Sequence, residues 1–140
     1  MGTIRHFEDL ECWHKARKLA NAIYDLTEGT RFAKDFRLRD QIQAAAGSVM
    51  HNIAEGFDSG YNPEFIRFLK IARRSASEVQ SELNLALDRK YVTQEQMDAV
   101  YNLATEAKQL MNAFIAYLRE HGSASNKQRS DDPTKKPPND

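Results

Sequence analysis

Apolar side chains recur at alternating spacings of three and four residues in four segments of this chain, which is the period of one face of an α-helix. These segments cover residues 9–28, 36–55, 63–90 and 93–121. The connections between them are short, and no segment of any length shows the alternation typical of a β-strand. We therefore predict an all-α fold, an antiparallel up-down four-helix bundle.

The fourth segment has the most regular seam, because its apolar positions alternate three and four residues apart without interruption. These positions are Met97, Val100, Ala104, Ala107, Met111, Phe114 and Leu118. The seam predicts that Phe114 is a core aromatic residue.

Two further apolar rows lie beside the predicted core faces, and their successive members are seven positions apart in the sequence. The rows consist of Leu19 and Leu26 in the first helix and Leu103, Leu110 and Tyr117 in the fourth. They widen the apolar stripes beyond what a bundle seam needs, and surplus apolar surface commonly marks an interface. We therefore predict that these five residues hold copies of the chain together in a homo-oligomer.

Several residues predict where the helices begin and end. Gly29 is placed to end the first helix with a left-handed cap, and Gly56 is placed to stop the second. Asn62 followed by Pro63 is typical of a helix start, and Thr93 opens a capping-box sequence. These signals support the four predicted boundaries.

The chain divides into one domain and a tail. Residues 123–140 contain no large apolar side chain and three prolines, so this segment cannot bury a core and is predicted to be disordered. Residues 1–122 form the predicted bundle.

No apolar run approaches the roughly 20 residues of a membrane span, and the start lacks the apolar core of a signal peptide. We expect a cytoplasmic protein with no membrane partner.

Charge and cysteine content restrict the functional classes. The 20 basic and 20 acidic residues give a formal net charge of zero, whereas a dedicated duplex-binding protein is usually basic. The single cysteine, Cys12, excludes an intrachain disulfide and a thiolate metal cage. The neutral net charge weakens the hypothesis that the protein binds nucleic acid, although a local basic patch can still bind it.

Two groups of polar residues resemble parts of enzyme sites. Glu11 and His14 have the E-x-x-H spacing of di-iron bundles, but a second such pair is missing. Glu55 lies four residues after His51, yet no nucleophile or oxyanion-hole motif accompanies them. We therefore predict no catalytic residue, no metal, no cofactor and no enzymatic activity.

The motif formed by Asn52, Glu55 and Gly56 has a structural interpretation. Asn52 lies close to the buried stripe, so its amide is expected to bond the backbone or another helix. Glu55 is expected to pair or cap near the Gly56 turn.

A basic stripe on the third helix supports an alternative function. Arg67, Lys70 and Arg74 are spaced three and then four residues apart, so they share one helix face. Such a stripe can neutralise phosphates, but nothing nearby is placed to read base edges. The alternative prediction is weak, sequence-tolerant binding of RNA or DNA; the same stripe is also compatible with an ordinary solvated face.

Three sequence blocks carry a resemblance to a known family: FEDLECW at residues 7–13, NIAEGF at 52–57 and EFIRFLKIAR at 64–73. They resemble the four-helix-bundle proteins encoded in intervening sequences of bacterial 23S ribosomal RNA genes. The resemblance also extends to the accessory protein of diversity-generating retroelements. It implies a four-helix bundle and ring-like homo-oligomers, pentamers in particular, and it implies no reaction.

The chain departs from the family pattern inside the second block's helix. Met50 stands where the family usually has proline, and His51 where it usually has a small residue. Because proline removes a backbone hydrogen bond and kinks a helix, methionine predicts a straighter second helix here.

Overall fold

The computed structural model describes residues 4–60 and 62–121, and within them it contains helices and no strand. A 3-10 turn at Phe7–Asp9 precedes five α-helices. They are α1 (Glu11–Thr27), α2 (Thr30–Lys34), α3 (Phe36–Asp58), α4 (Asn62–Asp88) and α5 (Gln94–Glu120). The all-α four-helix bundle is confirmed, with α1, α3, α4 and α5 as its long helices. The predicted tail, residues 123–140, lies outside the described residues.

The four long helices enclose one core. Each packs beside two others, in the order α1, α3, α4, α5 and back to α1, and the α3–α4 pair has the most extensive contact. Small buried residues on both of these helices, such as Ala45, Ala46, Ala72 and Ala76, let their backbones approach closely. Because the connections are short, consecutive helices run antiparallel.

The first connection contains a helix that periodicity did not predict. Gly29 has extended dihedrals, φ −60° and ψ 142°, and it precedes α2 instead of forming a left-handed cap, so that prediction is wrong. The reason is tertiary: α2 carries Phe32, which is fully buried and packs its ring 5.3 Å from the ring of Tyr91. Tyr91 in turn donates a hydrogen bond to Asp35 Oδ2, 2.9 Å away, at the start of α3.

Gly56 does not stop the second bundle helix, because α3 continues to Asp58. The glycine is buried against α4, where a β-carbon would lie 2.7 Å from Phe65 Cδ1 and 2.8 Å from Phe68 Cβ. Gly56 is therefore required for close packing of two helices and not for a cap. The left-handed residue of this connection is Gly60, with φ 67°. The same helix runs without interruption through Met50, and the straighter geometry expected at this position stays a prediction.

The ends of α4 and α5 are defined by local hydrogen bonds. After α4, Lys90 adopts a left-handed conformation, and Tyr91 N donates to Ala86 O at 2.9 Å in a Schellman arrangement. The predicted capping box of α5 is present, since Gln96 N donates to Thr93 Oγ1 and Thr93 N donates to Gln96 Oε1.

The seam of α5 follows the prediction at every position but one. Ile115 is buried where Phe114 was expected, Phe114 is only half-buried, and Leu118 is buried as predicted. The spacings after Met111 are therefore four and then three residues, and either order of these spacings keeps one helix face apolar. Phe114 instead covers the end of the core, with its ring 5.2 Å from that of Phe65 in an edge-to-face arrangement.

Candidate functional site

One of the five predicted interface residues is buried inside the protomer, and the other four lie at or near its surface. Leu19 is 0% exposed, so it offers no surface to a second copy, and its assignment to an outer row is wrong. The physical reason is the facing of α1: Lys15, one turn before Leu19, pairs with Glu106 of α5 at 3.6 Å, so this side of α1 is turned toward α5. Leu19 therefore closes the protomer's own α1–α5 contact.

The other row members stay at or near the surface. Leu26, Leu103 and Leu110 are half-buried and pack against the core, while Tyr117 is 42% exposed. The Tyr117 ring stacks on His121, with centroids 4.4 Å apart, and lies 6.1 Å from the ring of Phe114. The C-terminal part of α5 therefore presents aromatic surface outside the core.

The Asn52 motif joins α3 to α4 through serine hydroxyls. Asn52 Nδ2 donates to Ser48 O at 2.8 Å and to Ser48 Oγ at 2.9 Å, which confirms the expected backbone bond. The Ser48 hydroxyl also hydrogen-bonds the Ser75 hydroxyl of α4 at 2.9 Å. Glu55 is exposed, and its backbone carbonyl accepts the N–H of Ser59 at the end of α3. This motif is therefore part of the α3–α4 packing.

The predicted basic stripe is not uniform. Arg67 pairs with Glu64 on its own helix, and its guanidinium lies 4.6 Å from the centroid of the Phe68 ring. Lys70 is half-buried, and Arg74 is exposed. The charge of Arg67 is therefore partly compensated, while Arg74 belongs to a different group of cations.

That group lines a cleft of about 320 Å³ between α4 and α5. Its walls are Arg73, Arg74 and Ser77 of α4 with Lys108 and Asn112 of α5. Arg73 Nη1 donates to Asn112 Oδ1 at 2.7 Å, and Lys108 Nζ donates to Ser77 Oγ at 3.1 Å. Both bonds cross the cleft and join cations to neutral partners.

None of the described residues that line this α4–α5 cleft is a carboxylate. The ion pairs within residues 4–60 and 62–121 involve other cations, namely Lys15, Arg39 and Arg67. Three cations of a neutral protein thus line one cleft, and none of them takes part in these ion pairs. Sequence reasoning missed Lys108 and Asn112, because their spacing on α5 carries meaning only once α5 is known to lie beside Arg73 and Ser77.

The E-x-x-H pair lies on the surface of α1. Glu11 and His14 border a shallow groove of about 520 Å³, and the His14 ring is within hydrogen-bonding distance of Glu8 O. In the part of the chain that the structure describes, no three His, Cys, Asp or Glu side chains are grouped to hold a metal ion.

Burial raises the pKa of the Cys12 thiol to about 12, so the thiol is protonated at neutral pH and a poor nucleophile.

A partly buried acid on α4 is a further electrostatic feature. Glu82 Oε1 is enclosed and has no hydrogen-bond partner among the described residues. Burial, together with the negative charge of Glu78 one turn away, raises the pKa of Glu82 to about 7. Glu82 is therefore half-protonated near neutral pH, and its ionised form is disfavoured in the folded protein.

This raised pKa predicts how stability depends on pH. Since folded Glu82 binds its proton more tightly than unfolded Glu82, the contribution of this residue to stability should be largest below the ordinary pKa of 4.5 and should be lost as pH rises to about 7. Replacing Glu82 with glutamine should remove this loss and stabilise the protein by about 1–2 kcal/mol at pH 8, less than full burial would give because the side chain is only partly enclosed. Urea unfolding of both proteins between pH 4 and 8 measures the difference; parallel pH profiles would contradict it.

Comparison with known proteins agrees with the geometry. Residues 8–113, more than half of the chain, match the model of the family described as 23S rRNA-intervening sequence protein. A crystal structure of a protein of unknown function from the S23 ribosomal protein family of Bacteroides thetaiotaomicron is similar, with a TM-score of 0.70 and 28% identity. That match covers 74% of this chain and 97% of the other. No curated protein matches this sequence. None of the described helices combines the length and apolarity needed to cross a bilayer. The chain belongs to the 23S rRNA-intervening sequence protein family.

Proposed function

We propose that this member of the 23S rRNA-intervening sequence protein family is a non-enzymatic assembly or adaptor module that acts as a cytoplasmic homo-oligomer. The observation that carries the proposal is the apolar row on α5. Leu103 and Leu110 are half-buried and Tyr117 is 42% exposed, although other α5 residues already fill the core. Covering this row would remove apolar surface from water and favour association.

A second copy of the chain is the partner that we propose for this row. The resemblance noted in the sequence implies ring-like homo-oligomers, pentamers in particular, and it is the support for that symmetry. Two further large apolar side chains among the described residues, Tyr24 on α1 and Leu85 on α4, are exposed. A ring needs two different surfaces on each protomer, and these helices offer apolar groups for the second one.

The size of the particle in solution tests this proposal. Light scattering at micromolar concentration should give a mass several times the 16.0 kDa of one chain. Tyr117→Glu should reduce that mass, because it places a charge in the proposed contact. Ala116→Glu is the matched control: Ala116 is also exposed but points to another side of α5, so the assembly should persist. A 16.0 kDa particle for the unmodified protein would refute the proposal.

A nucleic-acid-binding oligomer is the second candidate, and the cations of the α4–α5 cleft favour it. Repetition of one weak basic site around a ring would increase the overall affinity. Binding should be sequence-tolerant and should weaken as salt rises, since phosphate contacts release condensed counterions and carry no base information.

A further inference from the structure

We infer that the α4–α5 cleft is a binding site for a phosphate group, formed by Arg73, Arg74, Lys108, Ser77 and Asn112. The inference rests on the second candidate function, nucleic-acid binding, in one respect: it identifies the phosphate as that of a nucleic-acid backbone. It does not require assembly, because one protomer supplies all five residues. It also differs from the stripe predicted by sequence, with which it shares only Arg74.

The walls of the cleft are held in place by contacts between the two helices. Arg73 bonds Asn112 and Lys108 bonds Ser77, and one turn further along, Gln80 Nε2 donates to Thr105 Oγ1 at 2.9 Å. These contacts step along α4 and α5 in opposite directions, as antiparallel neighbours require. Arg73 and Lys108 are half-buried, so part of the ordering cost of two long side chains is met before a ligand arrives.

The cations keep most of their hydrogen-bonding capacity. A guanidinium has five N–H donors and an ammonium has three, and each cross-cleft bond uses one. The partners Asn112 and Ser77 are neutral, so they orient the cations without cancelling their charge. The Ser77 hydroxyl and the Asn112 amide can themselves donate to a ligand oxygen.

This combination fits an oxyanion with several acceptor oxygens. Arginine donors match the spacing of phosphate oxygens, and charge-assisted hydrogen bonds are stronger than neutral ones. The cleft volume of about 320 Å³ is sufficient for a phosphate group. None of the described residues in its lining carries a carboxylate, so none of them would repel an anion that enters the cleft.

Two double variants with the same change in net charge test the site. Arg73→Gln/Lys108→Gln removes two cleft cations, whereas Arg67→Gln/Lys70→Gln removes two stripe cations from the same helical region. Phosphorus NMR of inorganic phosphate should show line broadening with the unmodified protein and with the stripe variant. The cleft variant should reduce the affinity at least tenfold. Absent broadening with the unmodified protein, or equal broadening with the cleft variant, overturns the inference.

A short single-stranded oligouridine, assayed by fluorescence anisotropy at low salt, distinguishes the sources of the phosphate. Loss of oligouridine binding in the cleft variant alone assigns the site to the nucleic-acid backbone. Binding of inorganic phosphate without oligouridine binding supports the site and refutes the nucleic-acid candidate. Arg74→Gln, at an exposed position, should weaken phosphate binding too and serves if the double variant fails to fold. Light scattering on the same samples tests assembly separately.

Discussion

Replacing Phe65 with alanine is expected to lower the free energy of unfolding by about 3–5 kcal/mol, which is the usual cost of removing a fully buried phenylalanine ring. Phe65 is 0% exposed in the first turns of α4. Its ring makes edge-to-face contacts with Phe57 at 6.1 Å and Phe114 at 5.2 Å. Alanine would remove both aromatic contacts and leave a cavity between helices whose backbones cannot fully close it.

Urea denaturation at one fixed protein concentration measures this effect, because association would make stability depend on concentration. Phe36→Ala is the matched control. Phe36 is 64% exposed at the start of α3, and the guanidinium of Arg39 lies 4.9 Å from the centroid of its ring. Its replacement should change stability by less than about 0.5 kcal/mol. Equal losses in the two variants would mean that Phe65 does not fill the core.

Replacing Gly56 with alanine should destabilise the bundle by about 1–3 kcal/mol, although alanine is normally the better helix former. The added methyl group would lie 2.8 Å from Phe68 Cβ, an atom fixed to the α4 backbone, and 2.7 Å from the buried Phe65 ring. Neither neighbour is the flexible end of a side chain, so α3 and α4 would have to move apart.

Gly47 gives the opposite expectation on the same helix. A β-carbon there would meet only the His51 ring, at 3.6 Å, which is an ordinary van der Waals contact. Gly47→Ala should therefore stabilise the protein by about 0.5–1 kcal/mol through helix propensity alone. Thermal unfolding of both variants decides the matter: shifts of the same sign would show that packing at Gly56 is not the controlling effect.

The candidate site was only partly predictable. Arg74 was identified from its spacing, and Arg73 directly precedes it in the chain. Lys108 and Asn112 were not identified, since they come more than thirty residues later and join the cleft only through α4–α5 packing. The Asn52 bond was predictable, because an amide in the middle of a helix commonly reaches the carbonyl one turn earlier.

The sequence by itself determined the four long helices, the seam of α5 up to Met111 and the capping box at Thr93. These depend on helix periodicity and on contacts within one turn, which a local pattern carries. The tertiary structure decided that Leu19 is internal, that Gly56 lets two helices pack closely and that Phe32, in a connection, is buried. Those outcomes depend on which neighbour covers each helix face, and that is settled by packing between segments far apart in the chain.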